Sequence, residues 1–239
     1  MVNAKLFILV LPTRKKTYFI DGVQLEKVKI IKDLGVLVDR ELKFSQHVGT
    51  IARRANSILG QIRRSFTFKD KLTMLKLYKT FVRSQMEHAV SLWNPWLKKD
   101  IDCLEKVQKR AVRMIQGLSG DYFNKLNQLD LTTLEDRRAR GDMIQTFKII
   151  RGIENVDYKT WFKFGSEVST RDTRSVSEAK LSIPFARLEV RKHFFSVRMP
   201  KNWNEIPNAL RESVTTDLFK ISYDNYVQEA KEGPKFYVV

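Results

Sequence analysis

The chain of 239 residues carries 44 lysines and arginines against 27 aspartates and glutamates, for a formal net charge of +17 and a pI near 9.9. Hydrophobic residues make up 43%, which excludes wholesale disorder, and the excess positive charge points to a polyanionic partner, nucleic acid ahead of an anionic membrane surface. A lone cysteine, Cys103, excludes an intrachain disulfide framework and any multi-cysteine zinc site, and the scattered His47, His88 and His193 offer no metal-ligand spacing.

The first apolar run, Leu6 to Leu11, is far shorter than the roughly 18 residues of a membrane helix. It has no small-residue cleavage site after it, so it reads as a buried strand in an intracellular protein, nuclear or cytoplasmic, rather than as a signal peptide. Thr17 to Ile20, then Asp21-Gly22, then Val23 to Leu25 form a hairpin signal, because Asp-Gly suits a two-residue turn. Leu34 to Val38 is a further strand. The expected fold class is α+β: mainly α, with a small N-terminal antiparallel β element.

The charge is concentrated in the helical part that follows. Residues 40–114 hold 17 basic and 6 acidic side chains, whereas the flanking segments are each close to balanced. Phe44, Val48, Ile51, Ala52, Ala55, Ile58, Leu59 and Ile62 make an apolar stripe of helical period, with Arg53 and Arg64 opposite it. Asp70 is placed to cap a second helix with Leu72, Leu75, Tyr78, Val82, Met86 and Ala89 inward, and Lys76, Lys79 and Arg83 along one edge. Trp93-Asn94-Pro95-Trp96 interrupts the pattern. Asp100 opens a third helix with Ile101, Leu104, Val107, Ala111 and Ile115 inward, and Lys106, Lys109 and Arg113 on the other side. A solvated surface normally interleaves acidic residues among its lysines and arginines, and these faces lack them, so they read as phosphate-contacting.

Beyond Gly120, a helix with Met143, Ile144, Phe147 and Ile150 inward runs to about Gly152, residues 165–182 read as a loop or linker, and a last helix spans about Thr216 to Ala230. Glu135, Asp136 and Asp142 are interleaved with Arg137, Arg138 and Arg140, a pattern of ion pairs rather than of a metal site. No phosphate-binding GxxxxGK[ST] loop, GxSxG elbow or HExxH motif occurs, nor any Asp-Asp dipeptide.

An ordered set of short motifs resembles the region downstream of the catalytic palm in non-LTR (LINE-type, jockey-like) retrotransposon reverse transcriptases. It comprises Lys32-Asp33-Leu34-Gly35-Val36, Leu77-Tyr78-Lys79 with Val82-Arg83, and Trp93-Asn94-Pro95. It continues with Leu104-Glu105, Val107-Gln108 and Arg110, then Leu129-Asp130-Leu131 and Arg137-Arg138, and closes with Phe194 to Arg198 and Trp203-Asn204-Glu205-Ile206-Pro207. Ser84 and His88 stand where the family usually has Pro and Tyr.

The resemblance implies four parts: 1–40 as the strands ending a polymerase palm, 41–118 as a basic three-helix thumb, 119–164 as a helical connector, and 165–239 as a C-terminal region with a loop and terminal helix. The thumb would hold a template–primer through its backbone, with Arg53, Arg64, Lys76, Lys79, Arg83, Lys106, Lys109 and Arg113 as the contacts. The expected partners are RNA–DNA or duplex nucleic acid and an upstream palm and fingers region, with no membrane and no small-molecule substrate. The full polymerase would need Mg²⁺ held by palm aspartates, which this chain lacks, so no cofactor and no catalytic residue are expected here. The one catalytic candidate is Lys5, whose Asn3-x-Lys5 spacing is one residue shorter than the family's Asn-x-x-Lys. Two alternatives stay open: a helical protein-interaction module with Trp93, Trp96, Phe194 and Phe195 as docking aromatics, or a piece of an active reverse transcriptase whose palm is encoded upstream.

Overall fold

The computed structural model describes residues 5–7, 17–168 and 179–232. The chain divides into two compact units, Met1–Arg138 and Ala139–Val239, the division falling inside the segment read from sequence as a connector.

The first unit opens with six short strands: β1 (Lys5–Phe7), β2 (Phe19–Ile20), β3 (Val23–Gln24), β4 (Glu26–Val28), β5 (Ile30–Asp33) and β6 (Val36–Asp39). The expected hairpin is present, β2 pairing antiparallel with β3 around Asp21 and Gly22, both at positive φ, as a tight turn between twisted strands requires. A second antiparallel pair joins β5 to β6. Here the sequence reading is corrected: Leu34 and Gly35 are turn rather than strand, with φ of 43° and 89°. The strand begins only at Val36, which is buried. A third ladder, β1 with β4, is parallel rather than antiparallel, with the β2–β3 hairpin in the connection between its strands. The remainder of the Leu6–Leu11 run, residues 8–11, lies outside the described residues.

Asp39 then organises the entry into the helices. Its carboxylate accepts the backbone N–H groups of Glu41, Lys43 and Phe44 at 3.0, 3.2 and 2.6 Å. These bonds hold a turn in which Leu42 and Phe44 both adopt the left-handed conformation, which costs a non-glycine residue energy and persists only where the surroundings enforce it. Helix α1 (Ser45–Ser65) follows; most of its expected apolar stripe is buried, Ile51 and Ile58 are half-buried, and His47 joins it.

Helix α2 (Lys71–Leu77) starts at Asp70, whose side chain accepts the Thr73 N–H at 2.9 Å. It continues through a π-helical segment, Tyr78–Arg83, into α3 (Ser84–Glu87). Of the expected inward series, Tyr78, Val82 and Met86 are buried and Leu75 is half-buried, but Leu72 and Ala89 are exposed, and Met74 completes the buried line instead. A spacing of four residues drifts around an α-helix of 3.6 per turn; the wider i→i+5 turn absorbs the drift and keeps the four side chains in one line.

Helix α4 (Val90–Trp93) precedes the Asn94-Pro95 break, and α5 (Lys98–Arg113) starts two residues before Asp100. Asp100 sits buried in its first turn, accepting a hydrogen bond from the Ser45 hydroxyl at 2.6 Å. Helix α6 (Tyr122–Gln128) packs on α5.

A buried polar network ties these parts together. Gln108, inaccessible to solvent, accepts from the Tyr78 hydroxyl at 2.5 Å and donates to the Tyr122 oxygen at 3.0 Å and the Thr132 carbonyl at 2.9 Å. Tyr122 in turn donates to Glu105, whose other oxygen accepts the Leu134 N–H at 3.1 Å. Burial raises the Tyr78 and Tyr122 hydroxyl pKa values far above the ordinary tyrosine range, so both remain donors.

Helix α7 (Leu134–Ile150) leads into the second unit, which holds α8 (Tyr158–Trp161), α9 (Gly165–Val168), α10 (Glu189–Lys192), α11 (Phe195–Glu205), α12 (Asn208–Arg211) and α13 (Thr216–Glu232). Its core gathers Met143, Phe147, Phe195, Trp203 and Phe219, with Phe147 stacked on Phe219 at 4.4 Å. The linker expected over 165–182 is corrected at both ends. Residues 165–168 are helical, and Leu181 is buried: its N–H and C=O are both held by the Asn204 side-chain amide, at 2.9 and 2.8 Å. The middle, 169–178, lies outside the described residues. The acidic and basic cluster around α7 does form ion pairs, but with distant partners. Arg140 grips Asp224 at 2.6 and 2.8 Å, and buried Asp142 holds Arg198 at 2.7 Å.

Candidate nucleic-acid interface

The seam between α1 and α5 sets the geometry of the basic surface. Ser45 meets Asp100 at one end, and Asn56 accepts from Arg110 at 2.8 Å farther along. Ser45 to Asn56 and Asp100 to Arg110 are nearly equal steps, so the two helices run parallel and side by side. Buried Ala52 and Ala55 on one helix and Ala111 on the other allow the close approach.

Outside this core, Arg53 and Arg64 on α1 and Lys106 and Arg113 on α5 are exposed. Among the described residues, none of the four takes part in an ion pair. Arg53 donates a hydrogen bond to the Thr50 hydroxyl at 3.2 Å. The seam adds a residue that periodicity within one helix did not single out: Arg110 stands on it beside Asn56, and only helix pairing reveals its place.

The other expected contacts are distributed differently. Lys109 is half-buried toward α6, its ammonium 5.0 Å from the Tyr122 ring centroid, a cation–π contact. Lys76 is exposed on α2 and Lys79 half-buried in the π segment, and neither takes part in an ion pair among the described residues. The π segment changes the phase along this helix, so Lys76 and Arg83 do not keep the α-helical alignment read from their spacing. Arg83 is half-buried, its Nε 3.5 Å from the Glu87 carboxylate, which Arg137 also grips at 2.5 and 3.1 Å. Burial, and then the neighbouring Arg137 charge, lower its pKa from the ordinary arginine value. Lys5 lies in β1, in register with Glu26 of β4.

Among the described residues there is no group of three or more His, Cys, Asp or Glu side chains placed to hold a metal ion. No described helix is long and apolar enough to cross a membrane.

Sequence comparison gives two relatives. Over 116 residues, 47% of this chain, it is 26% identical to a probable RNA-directed DNA polymerase from transposon X-element of Drosophila melanogaster, of which the match spans 13%. Over 112 residues, 45% of this chain, it is 27% identical to an uncharacterised protein of Caenorhabditis elegans, of which the match spans 57%. The chain thus covers less than two thirds of either. No family model and no solved structure matches it. The first similarity supports a relation to retrotransposon RNA-directed DNA polymerases and goes no finer.

Proposed function

We propose that the chain is the thumb and C-terminal portion of a LINE-type retrotransposon RNA-directed DNA polymerase, which holds an RNA–DNA or other duplex by its backbone. The observation that carries this is the paired surface of α1 and α5, where Arg53, Arg64, Lys106 and Arg113 stand exposed with no ion-pair partner among the described residues. Lysine and arginine meeting phosphate oxygens release counterions and read no bases, which suits an enzyme that copies any template. The partners are then the duplex and a palm and fingers region carrying the Mg²⁺-binding aspartates; this chain supplies grip and not the metal-dependent step. Lys76, Lys79 and Lys109 extend the positive field, while Arg83 serves the fold through Glu87.

The test is a binding isotherm of the full chain on a labelled RNA–DNA duplex between about 50 and 200 mM salt. The combined variant R53E/K106E/R113E should weaken binding equally on unrelated sequences and lower the salt slope by about 2–3, near 0.9 per lost phosphate contact. An unchanged slope, or loss confined to some sequences, overturns the proposal.

A further inference from the structure

At the end of the seam where α1 and α5 both terminate, the loop joining α1 to α2 exposes two aromatic rings. Phe68 is 73% exposed and Phe66 37%. Phenylalanine has no polar atom to favour such exposure, and neither ring makes an aromatic pair with another among the described residues. Cations surround them in sequence: Arg63 and Arg64 before, Lys69 and Lys71 after. None of these four takes part in an ion pair among the described residues. The one acidic residue of the stretch, Asp70, is committed to capping α2. The loop is also held in place rather than trailing free. The Phe66 N–H donates to the Ile62 carbonyl at 3.1 Å, and the Lys69 carbonyl accepts the Gln116 N–H from beyond α5 at 3.0 Å.

Helix dipoles account for part of this charge. Arg63 and Arg64 occupy the last turn of α1 and Arg113 the last turn of α5, where cations are favoured. They do not account for Lys71, which sits in the first turn of α2, where the dipole favours an anion. Nor do they account for the exposed rings.

We propose that this loop is a stacking platform for an unpaired base at the end of the duplex, with Phe68 under the base and Arg64, Lys69 and Lys71 on the flanking phosphates. The inference rests on the nucleic-acid reading above and adds a subsite to it. Aromatic rings interleaved with cations are the chemistry of single-strand binding, because every base offers a π face and every nucleotide a phosphate. A duplex held along α1 and α5 by Arg53, Lys106 and Arg113 would present its end to this loop.

The experiment compares the full chain on a blunt RNA–DNA duplex and on the same duplex with a single-stranded extension of about six nucleotides, matching the site sizes of such platforms. The extension should tighten binding about tenfold, and Phe68→Ala should abolish that gain while leaving blunt-duplex affinity within about twofold. Phe68→Trp should restore it. With 2-aminopurine as the first unpaired base, the native chain should quench its fluorescence and Phe68→Ala should not. Equal affinity for the two duplexes overturns this inference alone and leaves the duplex reading standing. Equal loss of blunt and extended binding in Phe68→Ala also overturns it, since the ring would then serve the whole interface. Failure to bind either duplex overturns the duplex reading itself.

Discussion

Gln108 shows how much one side chain can carry. It is wholly buried and joins the π segment, α6 and the turn before α7 through its amide. Replacing it with leucine would keep the volume but leave the buried Tyr78 hydroxyl without its acceptor and remove the bond to the Thr132 carbonyl. A loss of about 2–4 kcal/mol is expected, read as a lower urea midpoint. His47 makes a second residue-scale prediction. Its Nδ1 accepts the Leu37 N–H at 3.2 Å, its ring meets Trp93 edge-on, and burial, with His88 nearby, lowers its pKa. The folded chain therefore holds it neutral, whereas the unfolded chain protonates it near the ordinary histidine value of about 6.5. Stability present above that pH is lost as pH falls below it. Melting temperature should drop between about pH 7 and pH 5, and His47→Gln should flatten part of that drop. His193, also lowered by burial, accounts for a share that this variant leaves in place.

Several elements were legible in the chain because their signals are local. The Asp21-Gly22 hairpin, the Asp70 cap and the α1 stripe each depend on neighbours within one or two turns. Asp70→Ala should accordingly lower stability without disturbing α1 or α5, a separation that amide exchange would resolve. The π segment was not legible. Leu72, Leu75 and Tyr78 read as a good α-helical face, and only the packing of Met74, Tyr78, Val82 and Met86 reveals the wider turn. Deleting Thr80, exposed within that segment, would put Met74 and Val82 seven residues apart, nearly in line on an ordinary α-helix, so the wider turn should be lost while the buried line and the helix content by circular dichroism are kept. Several of the motif residues, Gln108, Trp203 and Asn204 among them, act as internal fasteners in this fold. Asp142→Ala, which would take the carboxylate from the Arg198 guanidinium and leave it its bond to the His193 carbonyl, is expected to cost about 3–5 kcal/mol, measured by denaturant unfolding.

Taken whole, the molecule carries a formal net charge of +17. On the proposed reading, in which the Mg²⁺-binding aspartates belong to a separate palm, the purified chain should support no primer extension with Mg²⁺ and deoxynucleotides, and any incorporation above a no-protein control would contradict that division of labour. The sequence by itself determined the charge, its concentration in residues 40–114, the class of fold and the order of the main helices. All of these follow from composition and from patterns no longer than a helix. Tertiary structure alone decided which cations stay available. Arg83 is half-buried beside Glu87, while Arg53 stands exposed beside the α1–α5 seam. The reason is physical: Glu87 lies only four residues from Arg83, but folding alone brings Arg137, 50 residues from Glu87 along the chain, onto the same carboxylate and buries the group.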